Sequence, residues 1–170
     1  ESFIPIFNEY YQTICRSTEQ VGLGYISQLA DRNLAESLAA NRERDRILGY
    51  TSNGVHKDEL EMTLNEQLIR RVGSQGQNKT YLIALKLAQF AFLTRKGQTT
   101  PILLLDDIFD KLDAARVAEI IKLVSGDSFG QIFITDTNRK YLDEILQAMN
   151  HDYALFRVEQ VEVQPMEDQP

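Results

Sequence analysis

Apolar positions along the chain fall into three textures, each with its own period. From Ser2 to Arg46 they recur at three- and four-residue spacing, as Phe3, Phe7, Tyr10, Tyr11 and Ile14 and then Leu34 and Leu38. That is the period of a helix with one apolar face. It predicts two helices joined by a connector around Gly22 to Gly24. The charged run Asn41-Arg-Glu-Arg-Asp-Arg46 extends the second helix. It reads as a solvated face, with a local DNA or partner contact as the alternative. From Ile47 to Leu64 the segments shorten around Asn53-Gly54, and Leu60, Met62 and Leu64 alternate with polar neighbours. A period of two with turn residues between runs predicts short antiparallel strands.

After Arg71 the texture changes to alternating strands and helices. Small and polar Gly73-Ser74-Gln75-Gly76 leads into a helix predicted over Gln77 to Lys96, with Leu82, Leu85, Leu87, Ala88 and Phe92 on its apolar face. Pro101 then introduces Ile102 to Leu105, a continuous apolar run ending in Asp106 and Asp107. Such a run is expected of a strand buried on both faces. A helix follows over Asp113 to Val124, a second buried strand over Gln131 to Thr135, a helix over Arg139 to Met149 and an edge strand over Tyr153 to Val161. Strands alternating with helices of this length predict an α/β fold whose sheet is largely parallel, with right-handed crossovers. The polar stretch from Gln164 to Pro170 is expected to fray.

Composition narrows the class. With 170 residues, 43% hydrophobic and 25% charged, the chain has the balance of one ordinary globular domain. Its net charge of −7 excludes a surface that coats nucleic acid indiscriminately, because phosphate contacts need clustered Lys and Arg. Any DNA contact is therefore local or lies outside these residues. No run approaches the roughly 18 apolar residues of a membrane span, and the start lacks the basic-then-apolar order of a secretory signal. The expectation is a soluble, cytoplasmic protein with no membrane partner. The single cysteine, Cys15, has no internal disulfide partner and is expected to be a buried thiol. An opening Glu-Ser-Phe-Ile-Pro with no Met suggests a fragment.

Four features of the second half carry chemistry. Asp106 and Asp107 follow a buried strand, where open α/β sheets bind ligands. Carboxylates there suit Mg²⁺ or an attacking water, although solvated strand-end acids would look the same. Ser74-Gln75-Gly76-Gln77 opens a helix, where first-turn amides and the helix dipole favour an anion and the glycine permits close approach. Ser74 is equally a plain N-cap. Asp110-Lys-Leu-Asp113 follows the acidic strand, and Ile132-Phe-Ile-Thr135 is followed by Asp136. Asp113 as a helix N-cap would need no function at all.

In that order, these features resemble the signature, Walker B, D-loop and switch elements of ABC-type ATPase heads, the class that includes SMC-like proteins. Within that class the wording is most similar to the RecF family, in Gly73-Ser-Gln-Gly-Gln77 and Leu103-Leu-Leu-Asp-Asp107. Upstream, Arg44-Asp-Arg-Ile-Leu-Gly49 and Gly54-Val-His-Lys-Asp-Glu59 resemble the stretch ahead of that family's signature, with Val55 where a Pro is usual. The likeness spans roughly residues 40 to 160.

The resemblance implies that Asp106 serves Mg²⁺, through water, and that Asp107 is the general base or orients the attacking water. It implies that Ser74, Gln75, Gly76 and Gln77 embrace the γ-phosphate of ATP held by an opposite protomer. Asp110 and Asp113 would form the D-loop, with Asp113 at the dimer seam, and Thr135 and Asp136 the γ-phosphate-sensing switch. Two positions depart from the pattern. Asp110 stands where Ser is more frequent, and Asp136 where His or Thr is usual; a carboxylate there would repel a triphosphate unless screened by metal.

No Gly-x-x-x-x-Gly-Lys-Ser/Thr occurs in the 170 residues, so no loop here wraps a β-phosphate. The resemblance places that loop in an N-terminal lobe, and the chain alone is expected to be inactive. Residues 1–46 would then be the end of a helical lid, 47–163 the C-terminal ATPase lobe and 164–170 a disordered tail. The implied partners are the N-terminal lobe, a second copy joined through ATP, DNA at single-strand/double-strand junctions and other recombination mediators. Two alternatives stay open: a non-catalytic ABC-like interaction module, and the head of another SMC-type ATPase.

Overall fold

The computed structural model describes residues 2–97, 99–126, 128–137, 143 and 153–166. The chain divides into two compact units, residues 1–89 and 90–170.

The first unit opens with helix α1 (Phe3–Cys15), which buries Ile6, Phe7, Tyr11 and Ile14 along one face. Its spacing is the one the apolar pattern predicts, although Tyr10 sits beside the buried stripe and is only half-buried. Cys15, expected to be buried, is half-buried at the helix end. Phe7, Tyr11 and Tyr81 form an aromatic cluster, with the Phe7 and Tyr81 ring centroids 4.8 Å apart and the Tyr11 and Tyr81 centroids 6.1 Å apart. These tilted and edge-on geometries suit the ring quadrupoles. The Tyr81 hydroxyl donates to the Gly22 carbonyl at 2.6 Å. Burial pushes that hydroxyl up to about 12, so it stays a proton donor near neutral pH.

The connector expected around Gly22 to Gly24 is instead strand β1 (Val21–Ile26). It pairs antiparallel along its whole length with β2 (Glu59–Leu64), from Val21 opposite Leu64 to Ile26 opposite Glu59. Gly22 misled because it serves cross-strand approach here: a Cβ on it would lie 2.4 Å from Thr63 Oγ1. β2 turns at Asn65 and Glu66, both at positive φ, into β3 (Gln67–Leu68). Positive φ at both central residues is the two-residue hairpin geometry that matches strand twist. Of the short antiparallel strands predicted between Ile47 and Leu64, β2 alone forms within that stretch; its partners lie outside it, and Val55–Lys57 is a single 3-10 turn. Between β1 and β2 runs helix α2 (Leu34–Leu48), capped by Asn33 and ended by Gly49 at φ 77°, with no buried residue. It is a solvated helix, as its charge run predicts.

A short helix α3 (Ile69–Val72) leads to α4 (Gln75–Lys96), which runs from the first unit into the second. The second unit holds β4 (Leu103–Asp106), helix α5 (Ala114–Val124) and β5 (Ile132–Thr135). β4 and β5 pair in parallel, Leu103 opposite Ile132 through to Asp106 opposite Thr135. α5 buries Val117, Ile120, Ile121 and Val124.

Both strands were expected to be buried on both faces, and the structure corrects this. Leu103 and Leu105 are buried, whereas Leu104 is 63% exposed and its cross-strand partner Phe133 is 52% exposed. Leu104 and Phe133 are thus exposed apolar side chains on this sheet, as is Ile102 just ahead of β4. The last strands are β6 (Leu155–Glu159) and β7 (Glu162–Met166), an antiparallel hairpin. The predicted edge strand is its first arm, and pairing of Met166 with Leu155 draws the start of the expected frayed stretch into a strand. Among the described residues parallel pairing is confined to β4 and β5. The helix predicted over Arg139 to Met149 lies, apart from Asp143, outside the described residues.

Candidate functional site

β4 delivers Asp106 as its last residue, directly opposite Thr135 at the end of β5. The Thr135 hydroxyl donates to Asp106 Oδ1. The chain then turns sharply, because Asp107 takes φ 48°, a left-handed conformation that Asp tolerates better than most residues. The Asp107 amide donates to the Thr135 carbonyl at 2.9 Å and lies 3.2 Å from its Oγ1. Buried Ile108 and Phe109 anchor the loop beyond. The Phe109 amide donates to Asp136 Oδ2 at 3.3 Å. Asp106, Asp107, Thr135 and Asp136 are thereby brought together at the carboxyl ends of two parallel strands, with Asp106 and Asp107 open to solvent. Asp136 bonds the loop backbone, one use for a carboxylate that its position in the sequence left unexplained.

Asp110 and Asp113 lie on the loop leading from this rim to α5, both exposed. Asp110 sits 3.6 Å from Lys111 Nζ. Asp113 caps α5, accepting from the Arg116 amide at 3.0 Å, while its other oxygen lies 3.4 Å from Arg116 Nε. Removing that cap in Asp113→Ala should lower stability by about 1 kcal/mol, and Asp113→Asn by only a few tenths, since Asn caps as well as Asp. Thermal or denaturant melting of the two variants checks this.

In the first unit, Ser74 forms a reciprocal cap at the start of α4. Ser74 Oγ accepts from the Gln77 amide at 3.2 Å, and Gln77 Oε1 accepts from the Ser74 amide at 2.8 Å. This capping box satisfies two backbone donors and leaves the amides of Gln75 and Gly76 as the other first-turn donors. Asn78 Nδ2 donates to the carbonyls of Gly73 and Ser74 at 3.0 and 2.9 Å. Gly73 is required by space, because a Cβ there would lie 2.8 Å from the Ile69 carbonyl oxygen. Ser74 and Gln75 are exposed, and Gly76 and Gln77 half-buried.

Sequence reasoning missed one member of this loop's surroundings. Gln77 Nε2 donates to Glu19 Oε1 at 2.6 Å, across 58 residues of sequence. No local pattern marks Glu19, which follows α1 in an irregular stretch.

Two exposed carboxylates suit a hard divalent cation only in part. Mg²⁺ takes one or two carboxylates and completes its octahedron with water and phosphate oxygens. Among the described residues no group of three or more His, Cys, Asp or Glu forms a metal cluster. Asp106 and Asp107 thus fit a cation shared with a nucleotide and do not form a self-sufficient metal site. The Ser74 loop, with a hydroxyl and first-turn amides at the start of a 22-residue helix, fits a phosphate group. Among the described residues no helix is long and apolar enough to cross a membrane.

No protein-family model matches the chain. It is similar to the DNA replication and repair protein RecF of Parabacteroides distasonis, 81% identical over 168 residues, which is 99% of this chain and 46% of that protein. The RecF of Bacteroides thetaiotaomicron is 62% identical over 160 residues, 94% of this chain and 43% of that protein. Among solved structures it is similar to RecF-ATPrS and RecF-ATP, described as the recombination mediator protein in the RecFOR pathway. The TM-scores are 0.64 and 0.63 at 20% identity, over 98% of this chain and 45% of each of theirs. That likeness shows the fold, a mixed α/β lobe. The chain spans a little under half the length of the curated relatives it matches, and over nearly all of its own length it is similar to RecF proteins.

Proposed function

We propose that this chain is the C-terminal lobe of an ABC-type ATPase head in a RecF-like DNA-repair protein. In this reading an N-terminal lobe binds ATP, and two heads close on it. Ser74, Gln75, Gly76 and Gln77 of one head grip the γ-phosphate held by the other. Asp106 would hold Mg²⁺ through water, and Asp107 would orient or deprotonate the attacking water. Thr135 and Asp136 would sense the γ-phosphate, and Asp110 and Asp113 would line the seam. Head closure would then clamp DNA at single-strand/double-strand junctions, help to load recombinase alongside other mediators, and end when ATP is hydrolysed.

One observation carries this reading: a solvent-open pair of acids at the carboxyl rim of two parallel strands, one acid hydrogen-bonded to the neighbouring strand's threonine. Phosphoryl transfer is mostly positioning and charge stabilisation, and such a rim supplies fixed carboxylates. The similarity to RecF sequences and the fold shared with RecF support it further. The lack of a phosphate-wrapping loop in the 170 residues makes a direct test possible. Alone, the chain should bind ATP·Mg²⁺ no better than a non-specific protein. Mixed with a purified N-terminal half of the same protein, it should gain nucleotide binding measurable by calorimetry. Failure to gain it while the two halves associate would favour a non-catalytic interaction module.

A further inference from the structure

The side chain of Glu19 bridges the signature loop and the aromatic core of its own unit. Glu19 Oε1 accepts from Gln77 Nε2 at 2.6 Å, while Glu19 Oε2 accepts from the Tyr11 hydroxyl at 2.9 Å. Tyr11 is fully buried and packs with Phe7 and Tyr81. Burial, reinforced by hydrogen bonds to Cys15 and Glu19, holds its hydroxyl far above the usual tyrosine range, so it remains a donor. At the other end Gln77 is held twice, since its Oε1 accepts from the Ser74 amide. A continuous chain of bonds thus runs from a core tyrosine through a carboxylate and an amide to the backbone of Ser74.

We propose that Glu19 is a positioning residue for the signature loop, fixing the Gln77 side chain, and through it Ser74, in the geometry that receives a γ-phosphate from a second head. The inference rests on the proposed role of Ser74 to Gln77. A carboxylate suits this post because its two oxygens accept from two donors at once, one in the core and one in the loop. With Gln77 Oε1 on the Ser74 amide and the Gln77 amide on Ser74 Oγ, the serine's own proton is left to donate to phosphate. Without Glu19, the Gln77 side chain regains rotamers, and ordering them on closure subtracts from the affinity of the two heads. Glu19 touches no reacting atom in this scheme, so its effect falls on association across the dimer and leaves the monomer's own ATP site alone.

The test uses the full-length protein and two readouts: ATP affinity of the monomer, and the ATP-dependent dimerisation constant by analytical ultracentrifugation. Glu19→Ala should weaken dimerisation about tenfold, as loss of a hydrogen bond to a charged group does, with monomer ATP affinity unchanged. Glu19→Gln keeps an acceptor for Gln77 but meets the Tyr11 hydroxyl with an amide NH2 in place of an oxygen, and should recover part of that loss. Glu19→Asp, one methylene short of bridging both partners, should fall between, and it serves if Glu19→Ala folds poorly. Dimerisation of Glu19→Ala at the wild-type level, with Ser74→Arg inactive, overturns the positioning role and leaves the signature role standing. Equal impairment of the Ala and Gln variants also overturns it, since the charge of the loop would then be what matters. If Ser74→Arg itself dimerises normally, the underlying reading fails and this inference falls with it.

Discussion

Ser74→Arg in the full-length protein is expected to weaken ATP-dependent association of heads by at least about a hundredfold, equivalent to about 2.7 kcal/mol. Ser74 is exposed at the start of a 22-residue helix, where its hydroxyl caps the Gln77 amide. An arginine there removes the hydroxyl and fills the space a phosphate would occupy with a long side chain. It also ends the reciprocal cap with Gln77, which by itself costs about 1 kcal/mol of helix stability. Ser74→Ala separates the two effects. It loses the cap and the hydroxyl without adding bulk, so it should melt as early as the arginine variant yet retain part of the association. Sedimentation with and without ATP reads the outcome, and an arginine variant that still associates normally removes Ser74 from any γ-phosphate contact.

Asp107→Asn should leave ATP binding intact and slow hydrolysis by about two to four orders of magnitude, the usual worth of a general base. This substitution suits the backbone. Asp107 sits at φ 48°, a conformation that Asn also tolerates but that strains most side chains by about 1–2 kcal/mol. Asp107→Asn should therefore melt with the wild type, whereas Asp107→Ala should lose both turnover and stability. Single-turnover hydrolysis set beside a melting curve distinguishes lost chemistry from a displaced loop. Turnover of the Asn variant within a few-fold of wild type would leave Asp107 as a turn residue with no part in the reaction.

The second half was the more legible part of the chain because its signals are local. A continuous apolar run with acids at its end needs no distant partner to be recognised, and Asp113 caps its helix as its position suggests. β1 was missed for the opposite reason. Its glycines look like a loop until Thr63 is known to lie opposite Gly22, and that pairing joins residues about forty positions apart in the sequence. The same limit hid Glu19, whose contact with Gln77 depends on how α1 and α4 are arranged within one unit. Leu104 was overestimated as a core residue because the apolar run shows only that a face wants cover. Nothing in Ile102 to Leu105 says whether these residues supply it. The acids could be placed at a strand's end from residue type and position, but the cross-strand match of Asp106 with Thr135 and the turn at Asp107 are defined only by three-dimensional pairing.

The exposed apolar pair on the β4–β5 ribbon has a consequence for how this polypeptide behaves in a test tube. Leu104 and Phe133 stand together in water on one side of a parallel pair, and apolar surface of that kind gains free energy from whatever closes over it. By mass action, anything that binds the folded ribbon raises its midpoint of unfolding. The thermal resistance of residues 90–170 should therefore rise in the presence of any molecule that closes over those two side chains.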